Sequence, residues 1–289
     1  MIYRTASEWR QSPRKRVLLF GMSGLGKTTI SNLLRAERWF HYSIDYRIGT
    51  RYMGEHIADM FKREAMKVPL LRELLLSDSV YIASNITFNN LAPLSTYLGK
   101  PGNPDKGGLT FAEYLHRQDQ HREAEMAALR DTVPFIERAH DLYGYDHFVC
   151  DSGGSICEVV NPDDPADPIL RLLSDNLLMV WIRHTEAHTA ELVRRFDRAP
   201  KPMYYQPEFL KQIWHEYLAE QGMTEEQVDP DAFLRWGYAR LLAHRHPRYE
   251  SMARNWGVSI SAEDVAALRS AHDFEDLIAR ALEAPGHAA

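Results

Sequence analysis

Cysteine is scarce in this 289-residue chain, which contains only Cys150 and Cys157. Their spacing fits neither a zinc knuckle nor a redox Cys-x-x-Cys pair, so the sequence excludes both kinds of site. Free cysteines are among the residues that are most often buried in protein cores. We therefore predict two reduced, buried thiols in a protein that does not need an oxidising compartment.

Long apolar runs are also missing. The longest cover residues 17–20 and 177–182, far short of the roughly 20 residues that cross a bilayer. The basic N-terminal segment precedes an apolar run that is too short for the core of a signal peptide. The sequence therefore predicts a cytoplasmic protein with no membrane association.

Positive charge is in the minority, because 34 Lys and Arg residues stand against 40 Asp and Glu residues, for a net charge of −6. General electrostatic affinity for nucleic acid is therefore not expected. The apolar fraction of 45% and the charged fraction of 26% are typical of a globular protein. No internal repeat is visible. At this length we expect one elaborated domain, and the oligomeric state stays open.

Five short apolar segments, several of them ending at a glycine or a carboxylate, are candidate β-strands. They cover residues 17–20, 39–44, 147–150, 177–182 and 258–261. Helical patterns lie between them, and this alternation is typical of an α/β fold with helices on both faces of a parallel sheet. We predict a three-layer α/β/α sandwich with a mostly parallel five-stranded sheet.

The intervals between these strands are uneven, and this predicts how the domain is organised. We expect a single domain over residues 1–289, with a core at about 12–48, 144–193 and 250–284. A large helical insertion is predicted at 49–143, and a lid with extra helices, the last at 230–244, at 194–249. Residues 99–108 contain too many turn formers for regular structure, so we expect a mobile loop there.

The motif with the clearest chemistry begins at Gly21, where the sequence GMSGLGKT satisfies the P-loop pattern G-x-x-x-x-G-K-[ST]. It follows a predicted strand and opens a predicted helix, so backbone N–H groups and the helix dipole are expected to bind phosphate. Lys27 is expected at the β- and γ-phosphates and Thr28 at Mg²⁺. The predicted ATP-binding residues are Gly21, Ser23, Gly24, Leu25, Gly26, Lys27, Thr28 and Thr29.

A P-loop also needs a carboxylate at the end of a neighbouring strand to hold the metal ion. Asp151 follows the third strand candidate and is the best placed, although a helix-cap or turn role stays open. Gly153 and Gly154 come next and leave room for close approach of a bound molecule. We predict Thr28 and Asp151 as the Mg²⁺ residues, with Gly153 and Gly154 at the second substrate.

A second carboxylate, Asp45, ends the second strand candidate and is followed by Arg47 and Arg51. The carboxyl ends of strands in an open α/β sheet are where ligand groups collect. Asp45 is a candidate base for a hydroxyl, and the two arginines are candidates for holding an anionic acceptor. The alternative is a salt-bridged turn that faces solvent.

Basic residues are concentrated after the fourth strand, where Arg194, Arg195, Arg198 and Lys201 fall within eight residues. Phosphoryl transfer spreads negative charge over the migrating group, and mobile arginines stabilise that charge. We predict catalytic roles for the three arginines, with a solvated helix end as the alternative.

Four features together resemble P-loop kinases of the shikimate, gluconate and adenylylsulfate kinase group: GMSGLGKTT, the second-strand aspartate, VCDSGG and the segment ending RAPKP. This resemblance implies that Asp45 contacts the acceptor hydroxyl and that the three arginines form a lid. The Asp-x-Asp pair of shikimate kinases is Ser43-Ile-Asp45 here. Over its full length the chain also resembles a bacterial group of ATPases.

The first hypothesis is therefore an ATP-dependent kinase that phosphorylates a small-molecule hydroxyl, with Lys27, Asp45 and the three arginines as catalytic residues. A sugar, a sugar nucleotide or a nucleoside phosphate is a candidate acceptor. The alternative hypothesis is a nucleotide-dependent regulatory ATPase whose helical insertion binds a protein partner. The sequence lacks the N-K-x-D motif of GTPases, which favours ATP.

Overall fold

A computed structural model describes residues 1–284 of the chain. Its fold divides into two compact units. The core unit consists of Met1–Ile44, Met126–Ala199 and the described residues from Gly237 onward. The second unit consists of Asp45–Glu125 and Pro200–Trp236. The five β-strands all belong to the core unit.

The strands are β1 (Arg16–Phe20), β2 (Trp39–Ser43), β3 (His147–Asp151), β4 (Leu178–Arg183) and β5 (Gly257–Ser261). All five predicted strands are confirmed, and no observed end differs from the predicted end by more than one residue. They form one sheet in the order β2-β3-β1-β4-β5, and every pairing between them is parallel. The sheet is thus fully parallel, where the sequence predicted a mostly parallel one.

Helices make up most of the remaining chain. In chain order they are α1 (Ala6–Gln11), α2 (Lys27–Ala36), α3 (Ile44–Arg47), α4 (Gly54–Ala65), α5 (Pro69–Leu76), α6 (Ala92–Leu98), α7 (Phe111–Arg130), α8 (Thr132–Asp141), α9 (Ile156–Val159), α10 (Pro168–Ser174), α11 (Glu186–Arg198), α12 (Pro207–Gln221), α13 (Pro230–Trp256), α14 (Ala262–Ala267) and α15 (Ala271–Glu283). A π-helix covers Ile48–Tyr52, and 3₁₀-helices cover Pro104–Lys106 and Glu225–Gln227.

The sheet of the core unit is covered by helices. Helix α2 contacts β2 and β3, α8 contacts the same two strands, α10 contacts β4, and α15 contacts β5. The side chains of β1 and β4 are almost completely buried, apart from Arg16 and Arg183 at their ends. Such continuous burial is typical of parallel strands that are covered on both faces. The predicted α/β/α sandwich with a P-loop is confirmed.

The second unit is mainly helical and packs around aromatic side chains. The ring of Phe111 stacks on Trp214 at 4.6 Å, and Phe233 meets the same Trp214 edge-on at 5.0 Å. Residues 99–108, predicted to lack regular structure, include the 3₁₀-helix and a narrow turn. In this turn the amide of Gly102 donates to Leu109 O at 2.8 Å, and the amide of Leu109 donates to Lys100 O at 2.8 Å. The turn residues are therefore tied to one another by backbone hydrogen bonds.

Helix α13 is longer than the sequence predicts. The expected end at residue 244 precedes Pro247, which removes one helical N–H donor and crowds the preceding turn. The helix nevertheless continues to Trp256. Beyond the proline, Arg248 donates to the carbonyls of Cys157 and Val160 at 2.7 and 2.8 Å. Contacts within the core unit thus stabilise the helix where local propensity predicts that it stops.

The two cysteines are free and buried, as predicted. Burial raises the pKa of the Cys157 thiol to about 12, and the nearby charge of Glu158 adds to this effect. Burial, together with the charge of Asp151, raises the pKa of Cys150 still further above its usual range. Over the described part of the chain, no helix is both long enough and apolar enough to span a membrane.

Candidate phosphate-binding site

The Gly-rich loop lies between the end of β1 and the start of α2, as the motif predicts. Its three glycines have φ values of 135° at Gly21, 90° at Gly24 and 96° at Gly26, where side chains other than glycine are disfavoured. A Cβ atom at Gly21 would lie 2.9 Å from the carbonyl oxygen of Ile182 in β4. Glycine at this position is therefore required both by the backbone conformation and by the neighbouring strand.

Lys27 is the first residue of α2, and its side chain turns back over the loop. Its Nζ donates to Gly21 O at 2.8 Å and to Met22 O at 3.0 Å, and the residue is only 6% exposed. A buried ammonium group is stable when carbonyl oxygens replace its lost hydration. The loop therefore places one positive charge where a bound phosphate chain needs it.

Thr28 and Asp151 are brought together from distant parts of the sequence. The Thr28 hydroxyl donates to Asp151 Oδ2 at 3.0 Å, and His41 Nε2 lies 3.8 Å from the same oxygen. Asp151 ends β3, which pairs directly with β1, so the sheet register places its carboxylate beside the loop. A hydroxyl and a carboxylate are oxygen donors of the kind that Mg²⁺ binds together with water and phosphate. The pair therefore fits a magnesium ion.

The turn after β3 also borders the loop. Ser152 donates through its hydroxyl to Leu19 O at 2.9 Å, which ties the turn to β1. A Cβ atom at Gly154 would lie 3.3 Å from the backbone nitrogen of Ser23. A larger residue at this position would therefore press against the loop. The role of Gly153 and Gly154 at the second substrate stays a prediction.

The predicted acceptor residues Asp45, Arg47 and Arg51 belong to the second unit. Asp45 is half-buried in the short α3, and the Arg47 guanidinium lies over the ring of Tyr52 at 5.7 Å. Arg51 is exposed in the π-helix. Their role at a second substrate stays a prediction.

The three predicted lid arginines lie on α11. Arg194, Arg195 and Arg198 are exposed near the C-terminal end of this helix, whereas the sequence placed them just after a helix. Arg194 pairs with Glu191 at 2.7 Å. Leu192 on the same helix lies 3.3 Å from the position that a Cβ atom at Gly24 would occupy. Helix α11 thus packs against the loop near the turns that carry the arginines.

A buried ionic cluster beside the loop was missed by sequence reasoning. Arg245 Nε donates to Glu158 Oε1 at 2.7 Å, and His244 Nε2 lies 3.2 Å from Glu158 Oε2. Burial acts to raise the pKa of Glu158, but the hydrogen bond with His244 and the charge of Arg245 outweigh it and hold that pKa below its usual range. Burial acts to lower the pKa of Arg245, but the Glu158 charge raises it above normal.

The sequence signal that could have indicated this cluster is the basic run HRHPR at residues 244–248, which begins where the predicted helix ends. Tyr249, one residue further, donates its hydroxyl hydrogen to the carbonyl of Gly154. A single sequence does not reveal which carboxylate meets such a run, because Glu158 lies 87 residues away from Arg245.

The parallel sheet, its strand order and the glycine loop after β1 define an α/β fold of the P-loop class. No family model and no curated protein matches the chain. Among solved structures, the chain is similar to the shikimate kinase from Bacteroides thetaiotaomicron, with a TM-score of 0.40 and 15% identity. The alignment covers 93% of this chain and 97% of that one.

Proposed function

We propose that the protein is an ATP-dependent kinase that transfers the γ-phosphoryl group to a hydroxyl group of a small molecule. The observation that carries this proposal is the 3.0 Å contact between Thr28 and Asp151 directly beside the buried Lys27. These three side chains supply the hydroxyl, the carboxylate and the ammonium group that P-loop phosphoryl transfer requires.

In this proposal the nucleotide binds through the loop backbone. The amides from Gly21 to Thr29 surround the phosphates, and the N-terminus of α2 adds its positive dipole. Lys27 exchanges its loop carbonyls for phosphate oxygens, because a charge-assisted bond to phosphate is stronger than a bond to a neutral carbonyl. Thr28 and Asp151 hold Mg²⁺, which neutralises phosphate charge when it is bound.

The transfer itself breaks the bond between the γ-phosphorus and the oxygen that bridges it to the β-phosphate. A new bond forms between the γ-phosphorus and the acceptor oxygen, and the hydroxyl proton leaves. We assign that proton to the Asp45 carboxylate, and we assign stabilisation of the migrating group to Arg194, Arg195 and Arg198. Arg47, Arg51, Gly153 and Gly154 are proposed to hold the acceptor, which is a sugar, a sugar nucleotide or a nucleoside phosphate.

The proposed roles of the different parts of the chain are those that the sequence predicts. We propose that the residues of the sheet core bind ATP, that 49–143 form an insertion, and that 194–249 contribute the lid and extra helices. The cytosol is the proposed location. Nucleic acid and membranes have no part in the proposal.

One observation favours the second hypothesis, a regulatory ATPase with a protein partner. Helix α5, within the insertion, has no buried residue. Leu70 is 65% exposed and Leu76 is 71% exposed, and Val68, Val80 and Tyr81 near its ends are exposed too. Such a concentration of exposed apolar side chains is typical of a surface that binds another protein.

Mg²⁺-dependent release of ADP from ATP tests the two hypotheses. Release is measured with and without fractionated small-molecule extract for wild type, Lys27→Ala and the control Lys62→Ala, whose lysine is exposed and bonded to Asp59. A kinase shows stimulation by one fraction in wild type and in the control, and none in Lys27→Ala. Tight ATP binding with slow turnover that no fraction stimulates would overturn the kinase proposal and favour the regulatory ATPase.

A further inference from the structure

One side of α13 holds the segment that follows Asp151. His244 and Arg245 meet the side chain of Glu158, Arg248 donates to the carbonyls of Cys157 and Val160, and Tyr249 donates to the carbonyl of Gly154. These four residues flank Pro247 at helical spacing, so they project from neighbouring positions on the helix. The segment from Gly154 to Val160 is therefore fixed by side chains of α13.

The centre of this arrangement is a fully buried ion pair. Arg245 is 2% exposed, and the Glu158 side chain is inaccessible to solvent. Burying two charges is costly unless good geometry and further hydrogen bonds compensate for the lost hydration. The presence of a buried ion pair is therefore weak evidence that its role is to stabilise the fold. An apolar pair of similar size often stabilises a protein as well or better. The position of the pair within the core unit is therefore the better guide to its role.

The pair borders the phosphate loop through Gly154. The position of a Cβ atom on Gly154 lies 3.6 Å from Arg245 Nη1 and 3.3 Å from the Ser23 nitrogen. Gly154 therefore lies next to both the guanidinium of Arg245 and the backbone of the loop. The Tyr249 hydroxyl holds the Gly154 carbonyl from the same helix.

We propose that Arg245, fixed by Glu158, is a positioning residue that holds Gly154 against Ser23 and so keeps the phosphate loop in its binding geometry. Arg245 acts through Gly154 and the Ser23 backbone. Tyr249 acts on the same turn through its hydrogen bond to the Gly154 carbonyl. The inference rests on the proposed function, because one of the two quantities that test it is the affinity for nucleotide. The other is amide hydrogen exchange without nucleotide.

The test uses a double variant, Glu158→Gln with Arg245→Met, in the full-length protein. Removing Arg245 alone would leave a buried carboxylate without its cation, whereas the double variant removes both charges and keeps most of the volume. Arg254→Met is the matched control, because Arg254 lies on the same helix, is exposed and is 3.8 Å from Asp163. Tyr249→Phe serves as a second variant, which removes the hydroxyl group that donates to Gly154 and also contacts the Cys157 thiol.

Three quantities are measured for each protein: the melting temperature, the affinity for Mg²⁺ATP by calorimetry, and amide hydrogen exchange without nucleotide in peptides covering residues 21–26 and 152–156. We expect the double variant to melt close to wild type, to bind Mg²⁺ATP about tenfold more weakly, and to exchange faster in both peptides. Tyr249→Phe changes affinity and exchange in the same direction by a smaller factor, and Arg254→Met changes neither.

Wild-type affinity and wild-type exchange in a folded double variant would overturn the inference and leave the pair a purely structural role. If the double variant does not fold, wild-type exchange in both peptides of Tyr249→Phe overturns it instead. If wild-type protein binds no Mg²⁺ATP, the proposed function fails, and amide exchange alone then decides whether Arg245 positions the loop.

Discussion

Asp151 and Glu158 lie on the same stretch of chain, and both are buried, yet they face different regions of the core unit. Asp151 ends β3 beside the phosphate loop, where the Thr28 hydroxyl donates to it at 3.0 Å. Glu158 lies in α9 and faces α13, where Arg245 donates to one oxygen at 2.7 Å and His244 lies near the other. Asp151 accepts from a hydroxyl, with the ring of His41 3.8 Å away, whereas Glu158 accepts from the buried guanidinium of Arg245.

This difference distinguishes a carboxylate that can bind a metal ion from one that holds the surrounding backbone in place. A buried carboxylate with an arginine and a histidine on its two oxygens has its charge balanced within the protein. A buried carboxylate that accepts from a hydroxyl gains more from an added cation, because a hydroxyl does not neutralise its charge. Asp151 is therefore the better candidate for a metal ion, and Glu158 for fixing the surrounding backbone.

The largest expected effect is on stability, from Glu158→Ala. Removing one partner of a buried ion pair leaves Arg245 uncompensated, and this costs about 3–5 kcal/mol in free energy of unfolding. Urea denaturation measures it. Glu64→Ala, which removes an exposed partner of Lys67, is the control, and its effect is expected to stay below about 1 kcal/mol. Equal losses in the two variants would contradict the view that Arg245 is buried and needs Glu158 as its partner.

The Glu158 pair also predicts a pH dependence. Because the folded-state pKa of Glu158 is lowered, its stabilisation is fully present above the unfolded-state value of about 4.3 and is lost as the pH falls through the folded-state value. The free energy of unfolding of wild type should therefore fall on acidification below about pH 5 more steeply than that of Glu158→Gln. If the free energy of unfolding falls with the same slope in both proteins below about pH 5, the contacts of Glu158 do not lower its pKa in the folded state.

Asp151→Asn tests the other side of the comparison. We expect the apparent Mg²⁺ affinity of the ATP complex to fall by about 10- to 100-fold, as for other groups that orient a metal ion from its outer shell. Stability without nucleotide should change little, because the amide keeps the shape and still accepts from Thr28. Asp175→Asn, at an exposed C-cap of α10, is the control. An unchanged Mg²⁺ titration curve would remove Asp151 from the metal site.

Gly154→Ala should give a smaller change. The added methyl group meets the Ser23 nitrogen at 3.3 Å, so the loop must shift by a few tenths of an ångström to admit it. We expect a loss of ATP affinity of about threefold, or about 0.7 kcal/mol. In Gly54→Ala, the new methyl lies at an ordinary contact distance of 3.5 Å from Gly49 O, and affinity should not change. Equal affinity in both variants would show that the loop tolerates the pressure.

The smallest effect is expected from Leu70→Ser combined with Leu76→Ser. Both leucines are exposed on α5, so the free energy of unfolding of the isolated protein should change by no more than about 0.5 kcal/mol. Thermal unfolding measures this. A large loss of stability would show that these side chains are covered, and it would remove the observation that favours a protein partner.

The strands and the phosphate loop were predictable because their signals are local. An apolar run such as that of β4 needs burial on both faces, and the spacing from Gly21 to Thr28 specifies its own turn. The partnership of Thr28 with Asp151 also followed, since carboxyl ends of neighbouring parallel strands meet at one edge. What was needed in each case was a short pattern and one rule of sheet geometry.

The continuation of α13 and the role of Arg245 were not predictable in this way. Pro247 locally disfavours a helix, and only contacts with a segment about 90 residues away, near Glu158, show why the helix continues. The predicted loop at residues 99–108 likewise contains backbone hydrogen bonds from Gly102 to Leu109 and from Leu109 to Lys100, which its composition does not indicate. Both sets of contacts join residues whose pairing one sequence does not display.

The buried thiols of Cys150 and Cys157 have a practical consequence for spectroscopy. With the pKa of each raised by burial, neither forms the thiolate that reacts with maleimides near neutral pH. A cysteine introduced at exposed Leu76 by Leu76→Cys can therefore be labelled selectively without removing either native cysteine. A fluorophore placed there would report directly on whether another protein covers α5.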